Sequence, residues 1–201
     1  MKKAAITLLI PLLLLVSCGR AVTAEELACE VQAKYLGAEE LTMNAAVTWF
    51  DDGGVYDFAL VYSGGATCGT ITVKDPPEIA GITAEVDVTA GTVTFSDMIL
   101  PYGDIGETGF SPAGAIPTLL KEWQTGVITL VGFEPYDGTD ALMIETAITD
   151  GAAARTWFDR DTLLPIAAEV RSVGVTVLRC DFGNITVEGC QKAIATDAER
   201  W

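Results

Sequence analysis

Trp157-Phe158-Asp159-Arg160-Asp161-Thr162-Leu163-Leu164-Pro165-Ile166-Ala167-Ala168-Glu169-Val170 is the stretch on which the fold reading turns. An aromatic-rich segment ends at Asp159, whose short side chain can cap a turn. Pro165 can open the strand that follows, because a first strand residue does not need its amide. Beyond it Ile166, Ala168 and Val170 fall on one face, the period of two that marks a half-buried antiparallel strand. The stretch therefore reads as strand, turn, strand.

The same alternation extends to both sides of this unit. Upstream, strands are expected at 41–50, 55–62, 68–74, 79–88 and 92–99, separated by Asp51-Asp52-Gly53-Gly54, Gly64-Gly65, Pro76-Pro77 and Thr89-Ala90-Gly91. These breaks carry the Gly, Asp and Pro chemistry of hairpin turns. Further strands are expected at 127–134, 141–148, 154–158, 165–173 and 175–181, with a last extended stretch at 184–188. Ahead of them Thr23-Ala24-Glu25-Glu26 reads as a capping box. Ala24, Leu27, Ala28, Val31 and Tyr35 then follow at helical spacing, and Gly37 stops the helix predicted over 24–36. Residues 101–117 are rich in glycine and proline and read as a lid, followed by a short helix at 117–124 closed by Gly126. The fold class is mainly β within α+β: a curved antiparallel sheet or incomplete barrel, with an N-terminal helix and a short lid helix.

The 157–170 turn resembles the strand-turn-strand of the lipoprotein-carrier superfamily, which holds LolA-like and LolB-like carriers and the N-terminal domain of the RseB-type stress regulator. In that group an aromatic strand ends in a turn of the form Asp-x-x-Thr-x-Leu-Pro. The order of elements across 24–188 is similar too. The resemblance implies a half-barrel whose apolar concavity accepts acyl chains. The lining it suggests is Tyr56, Phe58, Leu60 and Tyr62 along one strand, Trp49 on the strand before, and Leu119, Leu120 and Trp123 on the lid helix.

The N-terminus points to export. Lys2 and Lys3 precede an apolar run from Ala4 to Val16, too short for a bilayer span of roughly 20 residues. Leu15-Val16-Ser17-Cys18 resembles the lipobox cut just before a lipidated cysteine. The expected organisation is a signal peptide at 1–17, a lipidated tether at 18–22 and a single domain at 23–201. This places the protein on the extracytoplasmic face of a membrane, held there through Cys18.

Composition narrows the partners. The chain has 28 acidic and 12 basic residues, a formal charge of −16, and loss of Lys2 and Lys3 with the signal would take −16 to −18. Such a charge repels phosphates, so nucleic acid is discarded as a partner, and no basic patch assists the membrane anchor. Cys29, Cys68, Cys180 and Cys190 form an even set in an exported chain and suit disulfides in any of three connectivities. One pair is Cys180–Cys190, if Phe182-Gly183-Asn184 is a turn.

The absence of histidine removes Ser-His-Asp and Cys-His nucleophilic systems and every histidine-ligated metal. No serine is followed by lysine at the third position, and no phosphate loop occurs. Asp51-Asp52 and Asp137-Gly138-Thr139-Asp140 read as turns rather than calcium loops. No cofactor, metal or catalytic group is expected. The function expected is binding of a lipid or other hydrophobic ligand. The alternatives are a signalling or scaffolding lipoprotein that binds another envelope protein, and a hydrolase working through two carboxylates.

Overall fold

The computed structural model describes residues 22–95, 98–101, 111–149 and 151–189. The signal peptide, Cys18, most of the tether, residues 102–110 of the lid segment and Cys190 lie outside the described residues.

Helix α1 spans Ala24–Leu36, as its sequence requires. The Glu26 amide donates to Thr23 Oγ1 at 3.2 Å and the Thr23 amide to Glu26 Oε2 at 3.0 Å, closing the capping box. Eleven strands follow: β1 (Glu40–Asp51), β2 (Gly54–Gly64), β3 (Cys68–Asp75), β4 (Thr83–Asp87), β5 (Thr92–Phe95), β6 (Met98–Pro101), β7 (Val127–Tyr136), β8 (Thr139–Thr149), β9 (Ala152–Asp159), β10 (Pro165–Ser172) and β11 (Val175–Glu188). A 3₁₀ turn at Pro112–Gly114 leads into α2 (Ala115–Thr125), between β6 and β7.

All eleven strands form one antiparallel sheet in the order β6-β5-β4-β3-β2-β1-β11-β10-β9-β8-β7. Two meanders, β1–β6 and β7–β11, are joined where β11 returns to pair with β1, and the sheet does not close. A single apolar cluster runs from Val93 of β5 through Leu41, Leu178 and Val170 to Leu142 of β8, and takes in both helices. One core can touch nearly every strand only if the sheet curls around the helices, giving the curved half-barrel expected from the sequence. Each fully buried Leu or Met in it contributes about 1.5–3 kcal/mol.

The 157–170 stretch shows why this turn suits the fold. Asp159 Oδ1 accepts from the Asp161 amide, the Thr162 amide and the Thr162 hydroxyl, at 3.2, 2.8 and 2.7 Å. The turn then holds α1 in place: Lys34 donates to the Thr162 carbonyl at 2.6 Å, and the buried Tyr35 hydroxyl donates to the Leu163 carbonyl at 3.3 Å. Leu163 takes φ 56°, a left-handed backbone that is uncommon for leucine and is fixed here by hydrogen bonds on both sides.

Three strand expectations are corrected. The strand expected at 79–88 starts only at Thr83, because residues 76–82 make successive turns, with the Ile79 amide on Pro76 O and the Ile82 amide on Ile79 O. The strand expected at 92–99 is two strands, β5 and β6, paired through Phe95 and Met98. The stretches 175–181 and 184–188 are one strand, because Phe182 and Gly183 stay on the β1 ladder opposite Ala45 and Asn44. A bulge between Thr42 and Asn44, with Asn184 at φ 49°, absorbs what looked like a turn.

Among the described residues no disulfide forms. Cys29, Cys68 and Cys180 are free thiols, the first two exposed and the third buried.

Candidate functional site

The concave face is not filled evenly. Over β8–β11 it is occupied by the helices, and the aromatic residues there form a closed cluster. Trp123 sits 5.1 Å from Tyr35, 5.7 Å from Phe158 and 5.3 Å from Phe182, measured between ring centroids. Its indole donates to Thr156 Oγ1 at 2.9 Å. Beside it is a void of about 10 Å³, room for roughly one water and no more. Glu122 points its carboxylate towards this void, and burial pushes its pKa up against the opposing effects of the Thr146 hydroxyl and the Lys121 charge. Glu122 Oε2 has no hydrogen-bond partner.

Over β1–β5 the helices leave a gap. An open cleft of about 360 Å³ lies here, within the ~300–1,000 Å³ typical of small-molecule sites. Its floor is built by alternation: Trp49 from β1, Phe58 and Leu60 from β2, Ile71 and Val73 from β3, Ala84 from β4. Ile79 and Ile82 from the turns before β4 close one side, Phe95 of β5 another, and Ser111, Pro112 and Ala113 form the opposite wall. Among the described residues, Ser111 is the one lining residue with a side-chain polar group other than the Trp49 indole, its hydroxyl accepts from the Gly114 amide at 3.2 Å, and no charged side chain lines the cleft.

The residues picked from the sequence divide between these two regions. Trp49, Phe58 and Leu60 line the cleft. Tyr56, 43% exposed, stacks on Trp49 at 5.5 Å between centroids and stands outside the lining. Tyr62 is fully buried deeper along β2, and its hydroxyl donates to Gly65 O at 2.7 Å. Burial, with the Cys68 charge second, pushes the Tyr62 pKa up to about 12. Leu119, Leu120 and Trp123 do not roof the cleft, which is a correction. The amphipathic face of α2 packs against α1 and the β8–β9 side, and the Gln124 side chain ties the helix to Ala66 O at 2.7 Å. The wall facing β1–β5 comes instead from the chain just before α2.

Ile71, Val73, Ile79, Ile82, Ala84 and Phe95 line the cleft beyond the residues the sequence points to. Ile71 and Val73 carry the alternation signal, whereas Ile79 and Ile82 reach the cleft from the turns ahead of β4 and not from a strand.

No protein-family model and no curated protein sequence matches this chain. Among solved structures it is similar to an uncharacterized conserved protein from Thermus thermophilus, with 8% identity, TM-score 0.50, and 83% of this chain and 88% of that one covered. It is similar as well to a DUF1329 family protein from Desulfovibrio piger, at 14% identity and TM-score 0.49 over 82% and 92% of the two chains. A third similar structure is the LolA superfamily protein NE2245 from Nitrosomonas europaea, at 12% identity and TM-score 0.45 over 84% and 94%. At these identities the likeness is one of fold alone.

Proposed function

We propose that the protein is an extracytoplasmic lipoprotein, anchored through Cys18, that binds a lipid or other apolar ligand in the cleft between β1–β5 and the Ser111–Ala113 wall. One observation carries the reading: a cleft of about 360 Å³ has apolar side chains on its floor and both sides, in a fold whose other half is packed shut. Keeping that apolar surface in water costs free energy, at roughly 25 cal/mol per Å², and an apolar occupant removes the cost. Each buried methylene would contribute about 0.8 kcal/mol before the losses of ordering the chain, so micromolar affinity is within reach. The anchor rests on the Leu15-Val16-Ser17-Cys18 sequence.

The test is titration with a fluorescent fatty-acyl probe. Wild-type protein should bind it, Phe58→Asp should weaken binding by at least about tenfold through a charge buried in the floor, and Val175→Asp at the exposed start of β11, outside the cleft lining, should leave it unchanged. Absence of binding by the folded wild type, or equal binding by Phe58→Asp, removes the reading.

A second reading, binding of another envelope protein, is favoured by strand β7. It ends the strand order and exposes Val127, Leu130 and Phe133, and Glu134 is its only charged residue. An apolar edge of this length, with so little charge, is suited to pairing with another extended chain.

A further inference from the structure

The cleft lies in a strongly acidic part of the chain. Residues 40–101, which supply most of its floor and sides, contain nine Asp and Glu and a single basic residue, Lys74. Antiparallel pairing puts the β1–β2 turn, the β3–β4 connection and the end of β5 at one end of this half-sheet. Asp51 and Asp52 stand at the first of these, Asp75 and Glu78 at the second, and all four are exposed. Asp51 lies two residues beyond Trp49 on the same face of β1, and Glu78 immediately precedes the lining residue Ile79. Three arginines of the other half, Arg155, Arg160 and Arg179, pair there with Glu145, Asp140 and Asp181.

The interior offers a head group nothing in return. Among the described residues it has no charged side chain, and the Ser111 hydroxyl is already engaged by Gly114. A chain that enters from this end of the half-sheet would leave its head in water beside the carboxylates. We propose that the cleft sorts amphiphiles by charge, accepting an apolar chain whose head is uncharged or cationic and rejecting the same chain ending in an anion. This rests on the cleft being the ligand site.

A unit charge about 8 Å away in water changes affinity by about twofold, so four rim carboxylates acting together give on the order of tenfold or more at low salt. Screening should shrink that effect as the Debye length falls.

The experiment uses the exported Cys18→Ala protein and displacement of the fluorescent acyl probe by methyl decanoate, decanoate and decyltrimethylammonium. It is run at low salt and at about 0.5 M salt, at about pH 8 so that decanoate is ionised. Decanoate should be at least about tenfold weaker than the ester at low salt, with the cation as tight as the ester or tighter. The gap should narrow in high salt and in the double variant Asp52→Lys/Glu78→Lys. Decanoate binding as tightly as the ester at low salt overturns the proposal. So does a gap that neither salt nor the double variant moves, which would reflect only the cost of desolvating a carboxylate. If none of the three ligands displaces the probe while the probe itself binds, charge sorting is overturned and an apolar site remains. If the probe does not bind either, the cleft reading itself has failed.

Discussion

Asp159 is the residue on which the local structure depends most. Its carboxylate gathers three donors, and these hydrogen bonds, led by the Thr162 hydroxyl, hold its pKa below the usual carboxylate value. A carboxyl depressed in the folded state contributes stability that is present above its unfolded pKa of about 3.9 and lost as pH falls through the folded value. Asp159→Asn should therefore lower stability by about 1 kcal/mol at neutral pH. The difference from wild type should shrink below about pH 4, which denaturant melts at several pH values would show. An unchanged midpoint at neutral pH would mean that the turn is held without this side chain. The role of Asp159 in the turn was legible in the sequence, because Asp followed by Thr at the third position is local chemistry. The bonds from Lys34 and Tyr35 to the same turn were not, since they join residues separated by 128 positions.

Elements were legible where their signals are local, and misread where a partner decides the structure. The capping box and apolar spacing placed α1 at 24–36, its observed span. Strand β11 was read as two pieces because Gly183-Asn184 looks like a turn in isolation. Its pairing with β1 on one side and β10 on the other keeps it extended. The candidate site suffered from the same limit. Strand alternation singled out Phe58 and Leu60, but the opposite wall comes from Ser111–Ala113, far along the chain, and α2 turned its apolar face elsewhere. The β11 assignment has a chemical consequence. Cys180 sits in its middle, fully buried, and burial pushes its thiol pKa up, whereas Cys29 and Cys68 are exposed. In a Cys18→Ala/Cys190→Ser protein, a thiol reagent should modify two cysteines quickly and the third only on unfolding. Three fast thiols would contradict the burial of Cys180, and fewer than three in denaturant without reductant would restore a disulfide.

At the scale of the whole molecule, the curved sheet is packed shut on one side and open on the other, and the proposed reading places the anchor apart from it, before residue 23. Cys18→Ala should release the protein into the soluble fraction with its melting temperature unchanged; retention on membranes after a salt wash would contradict the anchor. The central claim, that the open side is a binding site, concerns where a ligand sits. Isoleucine methyl labelling reads this directly, because Ile71, Ile79 and Ile82 line the cleft while Ile116 and Ile144 lie in the closed core and Ile166 packs on the outer face. On titration of the labelled Cys18→Ala protein with an uncharged acyl ester, the methyl signals of Ile71, Ile79 and Ile82 should shift together and saturably, while those of Ile116, Ile144 and Ile166 stay in place. Saturable shifts centred on Ile116 and Ile144, or no saturable shift at any isoleucine, would contradict the account.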